Sequence, residues 1–340
     1  MIFFDVTKTA AAGHRSGLTR VSARLQAGLG AACTPVRWPT WDRRVRREDW
    51  FLTSELFSEE ERPGIEAFLA SRACRLAAVF HDAIPLRHPH ITWPQSVARH
   101  PAYLKLLARF DRIWAVSHAS AHELAGFWRW QGIVRPPPIE VLPLGADFDG
   151  RSRVTTLPPR PRETPSALLC VGIVEPRKNQ IFLLEVCDEL WRSGLTFELH
   201  IVGRVNPHFG RPMVARIKSL RRQHRGLHFH ERASDETVSR LYTKARAMAL
   251  PTLAEGCGLP LLESLWRGVP CVCSDLPSLR ENAAGGGCVT VTVNDRAAWT
   301  AALRRILTDD LEQQRLASEA ISRPLPTWGE AAAVLENALA

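Results

Sequence analysis

The chain is 340 residues long, carries a formal net charge of +9, and is 45% hydrophobic and 23% charged. That length exceeds what one hydrophobic core usually serves, and the composition is that of a globular protein, so two domains are expected. No apolar run is long enough to span a bilayer, and the positive balance suits a diphosphate, an anionic membrane face or a nucleic acid without choosing among them.

The opening M-I-F-F-D places an acid, Asp5, where a secretion signal carries basic and extended apolar residues. It reads as a first strand, and a cytoplasmic location is expected. The 8 cysteines are scattered, with Cys170, Cys187, Cys271 and Cys273 inside apolar runs and none in a C-x-x-C pair. They read as reduced core thiols. In the first half, apolar runs at 2–4, 76–80, 113–116 and 141–144 stop at small or polar residues before helical patterns begin. This is the rhythm of parallel strands joined by crossover helices, so the fold class is α/β. Polar residues then collect at the carboxyl ends of the strands, the edge where such sheets bind ligands.

After the first run comes G-H-R-S-G-L-T-R-V at 13–21, in which Gly17 lets the backbone approach an anion and Arg20 either binds one or covers the helix. The run 76–80 leads into His81-Asp82-Ala83-Ile84-Pro85-Leu86, where the imidazole either caps a strand end or hydrogen-bonds a ligand. His88 and His90 follow, but Pro85 and Pro89 break any helical register that would gather them on a metal. The segments R-W-P-T-W-D-R-R-V-R-R at 37–47 and F-W-R-W at 127–130 interleave cations and indoles. They are either a face for an anionic membrane surface or surface loops with partly buried tryptophans. Pro136-Pro137-Pro138 reads as a surface turn, and the run 113–116 ends at Ser117.

Residues 149–165 are rich in Arg, Pro and Thr without periodicity. The expected organisation is therefore a first domain at 1–150, a linker at 151–165 and a second domain at 166–325. Runs at 167–171, 199–202, 227–229, 247–250 and 269–273 give the second domain its strands, the first two ending at Gly172 and Gly203. Gly172 is followed by I-V-E-P-R-K-N, where Arg177 and Lys178 suit an anionic leaving group. The basic stretch 209–225 reads as a solvated helix face. After Leu250 the chain continues P-T-L-A-E-G-C-G-L-P-L-L-E. The loop with Thr252, Glu255, Gly256, Cys257 and Gly258 precedes a helix expected to start at Pro260 and stop at Gly268. Glycines before a helix amino terminus form a seat for an anion. Glu263, placed in the first turn, either accepts hydrogen bonds from a ligand hydroxyl or complements the helix dipole.

E-G-C-G-L-P-L-L-E resembles the E-G-F-G-L-P-x-x-E signature of the family-four retaining glycosyltransferases, with Cys257 replacing the usual aromatic. G-x-x-E-P-R-K-N resembles the donor-phosphate loop of the same family, particularly of members that use mannose or rhamnose donors. H-D-x-x-P-L at His81 and the loop with Gly17 match further segments, and Ser117 and Gly145 sit where the family places them. The resemblance implies a GT-B fold, two Rossmann-like domains facing each other across a cleft, with a last helix at about 326–340 returning to the first. It implies a metal-independent hexosyltransferase without a cofactor, whose partners are a nucleotide-sugar donor and a saccharide or lipid-linked acceptor, with no nucleic acid. Such an enzyme would be cytoplasmic or peripheral on a membrane. The implied catalytic residues are His81, Asp82, Arg177, Lys178 and Glu255. Gly17, Gly172, Gly203, Thr252, Gly256, Cys257, Gly258, Leu259 and Glu263 complete the donor site with Arg177, Lys178 and Glu255; no residue is assigned to a metal. A sugar-nucleotide epimerase of the same fold and a non-enzymatic basic binding protein are the alternatives.

Overall fold

The computed structural model describes residues 1–12, 17–148, 150–156 and 166–340. It divides into two compact units, residues 1–145 with 326–340 and residues 146–325. Among the described residues no helix is long and apolar enough to cross a membrane.

The first unit is built on six strands: β1 (Ile2–Asp5), β2 (Cys33–Val36), β3 (Trp50–Thr53), β4 (Arg75–Phe80), β5 (Arg112–Ala115) and β6 (Ile139–Val141). They pair in the order β2-β1-β3-β4-β5-β6, all parallel. β3 and β4 are central and apolar on both faces, as a sheet covered by helices on each side requires. Two strands escape the sequence reading. β2 contains Pro35, which a ladder tolerates at an edge, and β3 is a four-residue run directly after a charged stretch. β6 lies earlier than the run at 141–144 because its ladder reaches only the Leu142 amide, and Pro143 has no N–H to extend it.

Two tryptophans of the cation-and-indole segments are core, while the cations around them are exposed. Trp38 is buried with its indole N–H on the Pro63 carbonyl, and Trp41 stacks on Phe51 with ring centroids 5.5 Å apart. Trp128 is buried and donates to the Leu104 carbonyl, whereas Trp130 is 77% exposed. Trp38 and Trp128 therefore have no surface to offer a membrane, whereas Trp41 is partly buried. The last helix, Trp328–Leu339, starts at a capping box in which Thr327 and Glu330 satisfy each other's backbone N–H groups. It packs on the helix Gly17–Leu29, and only a glycine fits at Gly28, where an added Cβ would lie 2.7 Å from Ala332 Cβ.

The second unit carries β7 (Ser166–Val171), β8 (Phe197–Val202), β9 (Leu227–His230), β10 (Ala245–Leu250), β11 (Cys271–Ser274) and β12 (Cys288–Val291). Their order is β12-β11-β10-β7-β8-β9, again parallel throughout, which is the doubly wound Rossmann arrangement. β12 was not expected; it is a half-exposed edge strand whose four residues give little periodicity. The basic helix Arg211–Arg221 buries Met213, Ile217 and Leu220 and leaves its cations outward, as its pattern predicts. All eight cysteines are free thiols, buried except for the half-buried Cys288. Of the expected linker, residues 151–156 dock on this unit: Trp266 donates to the Arg151 carbonyl at 3.1 Å and Val154 N–H to the Trp266 carbonyl. Residues 157–165 lie outside the described residues.

Candidate active site

A doubly wound sheet has a switch point where the chain leaves two neighbouring strands in opposite directions, and the loops after those strands meet there. In the second unit those strands are β7 and β10. The loop after β7 runs through Gly172 into a short 3-10 turn, Pro176–Lys178, and the loop after β10 is 251–258. They are laced together by backbone: Leu253 N–H donates to the Arg177 carbonyl at 2.8 Å, and Thr252 Oγ1 lies 2.9 Å from the same oxygen. Asn179, held at φ +56°, donates to the Pro251 carbonyl at 3.0 Å.

This lacing brings together the charged residues singled out in the sequence. Arg177 Nη1 donates to the Ala254 carbonyl at 3.0 Å and lies 3.3 Å from Glu255 Oε2, while its Nη2 lies 2.9 Å from Glu175 Oε1. Lys178 Nζ is in close contact with Glu255 Oε1. Asn206 completes the group by donating to Glu175 Oε2 at 2.9 Å. Two cations and two carboxylates thus balance in a pocket of low exposure, 9% for the Lys178 side chain and 8% for Glu255. Burial raises the Glu255 carboxyl, but the Lys178 and Arg177 charges outweigh it and hold the group below the usual carboxylate range. Burial draws the Lys178 ammonium below its ordinary value against the pull of Glu255.

Gly258 adopts φ +84° and caps the helix Leu259–Trp266, with Pro260 in its second position. The helix begins one residue earlier than expected, and this moves Glu263 into the second turn, where it is buried at 2% exposure. A charge there gains little from the helix dipole, whose effect fades within one turn, so dipole complementation does not account for Glu263. Gly268, at φ +66°, follows the last turn as anticipated. The glycine loop is pinned from the helix Pro277–Ala283: Ser278 Oγ donates to the Glu255 carbonyl at 2.7 Å and Asn282 Nδ2 to the Cys257 carbonyl at 2.7 Å. Cys257 is buried, and its thiol is pushed up to about 12 by that burial. A neutral thiol, small and apolar, thus fills the position where the resemblance leads one to expect an aromatic.

Gly172 and Gly203 serve each other. A Cβ on Gly203 would lie 1.8 Å from the Gly172 carbonyl oxygen, so this close crossing of two strand ends requires glycine.

The remaining sequence-predicted residues belong to the first unit. His81 follows β4, is 7% exposed, and its Nε2 lies 2.7 Å from the Ser54 carbonyl. Burial lowers its pKa, and a carbonyl can only accept, so the neutral ring carries its proton on Nε2 and leaves Nδ1 as the acceptor. Asp82 spends Oδ1 on the Ile84 N–H at 3.0 Å, closing the turn into the helix Ile84–Arg87. That is a structural use of a residue expected to be catalytic. Ser117 caps the helix His118–Trp130, and Ser120 Oγ donates to the His81 carbonyl at 2.8 Å. Gly17 opens the helix Gly17–Leu29, and among the described residues nothing lies within 4 Å of a Cβ placed there; residues 13–16 of its motif lie outside the described residues.

Several participants went unseen in the sequence. Ser278, Asn282 and Asn206 are distant in the chain from the motifs and carry no pattern of their own, whereas Glu175 and Asn179 flank the cations and were within reach. At the switch point of the first sheet, between β1 and β3, Arg62 is 1% exposed and reaches Asp5 Oδ2 at 2.7 Å and Glu55 Oε2 at 2.6 Å. Glu55 also accepts from the Lys8 and Thr9 amides, both at 2.7 Å. Among the described residues His88 and His90 join no group of three metal-ligating side chains.

Residues 158–323 match the family model described as Glycosyl transferases group 1. Over 246 residues the chain is 29% identical to the serotype-specific mannosyltransferase WbdA of Escherichia coli, a match covering 68% of this chain and 29% of that protein. The chain thus spans less than a third of that relative's length. It is 27% identical over 249 residues to the MMP alpha-(1->4)-mannosyltransferase of Mycolicibacterium hassiacum, covering 69% of this chain and 56% of that one. Among solved structures, sucrose-phosphate synthase from Thermosynechococcus elongatus matches with a TM-score of 0.75 at 17% identity, over 99% of this chain and 97% of the other. WaaG, a glycosyltransferase involved in lipopolysaccharide biosynthesis, matches with a TM-score of 0.67 at 16% identity, over 98% and 99%. At these identities the two structures speak for the fold.

Proposed function

We propose that the chain transfers a hexose from a nucleotide-diphosphate sugar to a hydroxyl acceptor with retention of anomeric configuration, because residues 158–323 match the glycosyl transferases group 1 family model and the fold is GT-B. Mannose is the favoured sugar, since the matched relatives are named mannosyltransferases, and rhamnose is second. The acceptor is a saccharide or lipid-linked saccharide of glycan assembly, and the enzyme works at the cytoplasmic side without a catalytic metal. The single observation that carries this reading is the ion cluster of Arg177, Lys178 and Glu255 beside a glycine-capped helix amino terminus.

In this reading the donor diphosphate takes the cations that Glu255 now holds, and the freed carboxylate accepts from the sugar hydroxyls. Glu263 accepts from the ribose. As the glycosidic bond breaks, negative charge grows on the leaving phosphate, so Arg177, Lys178 and the N–H groups at Gly256 to Leu259 act more strongly in the transition state than before it. The departing phosphate takes the acceptor proton, and no protein nucleophile is required. His81, neutral with Nδ1 as acceptor, serves as a hydrogen-bond partner for a sugar hydroxyl and not as a cation.

The test is to incubate the purified protein with GDP-mannose or dTDP-rhamnose and follow free nucleoside diphosphate with and without a panel of mannosides. Release that rises with acceptor is expected, with a product that keeps the donor's anomeric configuration by NMR. Conversion of the donor into another sugar nucleotide without acceptor would replace transfer by epimerisation, and a donor left intact in every mixture would remove the enzyme reading.

A further inference from the structure

β8 reads F-E-L-H-I-V and β9 reads L-H-F-H. In a doubly wound sheet with helices on both sides, inner strands are expected to be apolar on both faces. Here one face is not. Phe197, Leu199, Ile201 and Leu227 point into the core, so the period of two turns Glu198, His200, His228 and His230 to the other face. The parallel register sets His200 level with His228, and β9 is the edge of the sheet.

The four side chains converge. His200 Nε2 lies 3.1 Å from Glu198 Oε2, and His228 Nε2 lies 3.7 Å from Glu198 Oε1. The Glu198, His200 and His228 ligand atoms all fall within 4.8 Å of one another. Donors around a tetrahedral zinc ion at ordinary bond lengths sit about 3.3–3.5 Å apart; the His200 and His228 rings are stacked with centroids 4.6 Å apart and 16° between their planes, so the two rings tilt toward each other to share one ion. His228 Nε2 is shielded from solvent without a hydrogen-bond partner, a vacancy that a metal bond would satisfy. His200 Nδ1 lies 3.1 Å from His230 Nε2, the outer hydrogen bond that fixes which nitrogen of a ligating imidazole faces the metal. The side chains of Glu198 and His228 remain 39% and 36% exposed, which leaves a path for the ion and a position for water.

We propose that Glu198, His200 and His228 form a transition-metal site of the zinc class on this face of β8 and β9, with His230 as the positioning residue behind His200. Two imidazoles and a carboxylate suit Zn²⁺ over Mg²⁺, which takes oxygen ligands. The site is separate from the Arg177 and Glu255 cluster and does not depend on the transferase reading.

The experiment uses the full chain and zinc alone. Metal-free protein is dialysed against buffered Zn²⁺ and its metal content measured; Co²⁺ is substituted to read the visible spectrum of a tetrahedral nitrogen-oxygen site. One equivalent per chain is expected, with the cobalt bands lost in Glu198→Gln and in His228→Ala. Zinc affinity should fall about 10–100-fold in His230→Ala, and a His88→Ala/His90→Ala control should bind as the native chain does. Glu198, His228 and His230 are half-exposed, and circular dichroism checks that each variant folds. Absence of stoichiometric zinc from the native protein, or uptake unchanged in Glu198→Gln and His228→Ala, would overturn the proposal.

Discussion

Glu255 occupies both cations of the proposed phosphate seat, so it competes with the ligand while stabilising the unliganded chain. Removing one partner of a buried ion group leaves the others uncompensated, at a cost of about 3–5 kcal/mol. Glu255→Gln is therefore expected to lower the melting temperature while leaving nucleoside diphosphate affinity equal or tighter, and to lose transfer. Denaturation and calorimetry on the same preparation separate these effects; weaker diphosphate binding together with unchanged stability would show that Glu255 does not hold the cations. Residue identity at this cluster was legible because E-G-C-G-L-P-L-L-E and E-P-R-K-N each place their charges at a strand end. Their mutual neutralisation was not legible, since 77 residues separate Lys178 from Glu255 and only the switch-point topology joins them.

At the scale of elements, the site depends on loops that approach closer than side chains permit. Gly203→Ala would force a Cβ to within 1.8 Å of the Gly172 carbonyl, a backbone atom that cannot swing away. The end of β8 and the loop carrying Arg177 would have to separate, so nucleotide-induced thermal stabilisation is expected to vanish. Among the described residues a Cβ at Gly17 meets nothing within 4 Å, so Gly17→Ala should fold normally, which provides the comparison. If Gly203→Ala kept its nucleotide shift, the crossing would not position the site. The strand and helix rhythm exposed most elements, since long apolar runs such as β4 and β10 are buried on both faces. It failed at β2, β3 and β12, which are four-residue strands, two at sheet edges and one beside a charged segment, too short to show a period. It also misplaced the helix start at 259–260, where the cap is Gly258 in a left-handed conformation and not a side-chain oxygen.

For the whole molecule, buried imidazoles govern the acid limit of stability. Burial lowers the pKa of His81, His100, His200 and His230, so each stays neutral in the folded chain at a pH where the unfolded chain has begun to take up a proton. The unfolded state then binds more protons, and stability is lost as pH falls below the ordinary imidazole value of about 6.5. The depressed Glu255 carboxyl acts at lower pH, where its stabilisation is lost as pH falls through its folded value. A melting temperature that declines from pH 7 to pH 5 in both units is expected, and one that is flat across this range would mean that the rings are protonated in the folded state. The net charge of +9 offered three classes of anionic partner, and the fold narrows the choice by placing two cations beside a glycine-capped helix at a switch point.

The most direct test of the phosphate seat is calorimetric titration, with EDTA present, of the native protein and of Lys178→Ala. The ligands are whichever of GDP, UDP, dTDP and ADP stabilises the native chain most, and its parent nucleoside. Lys178→Ala is expected to weaken the diphosphate at least about tenfold, or 1.4 kcal/mol, and to leave the nucleoside unchanged. Equal diphosphate affinity in the two proteins, or binding that requires added metal, would contradict a seat built from Lys178 and Arg177.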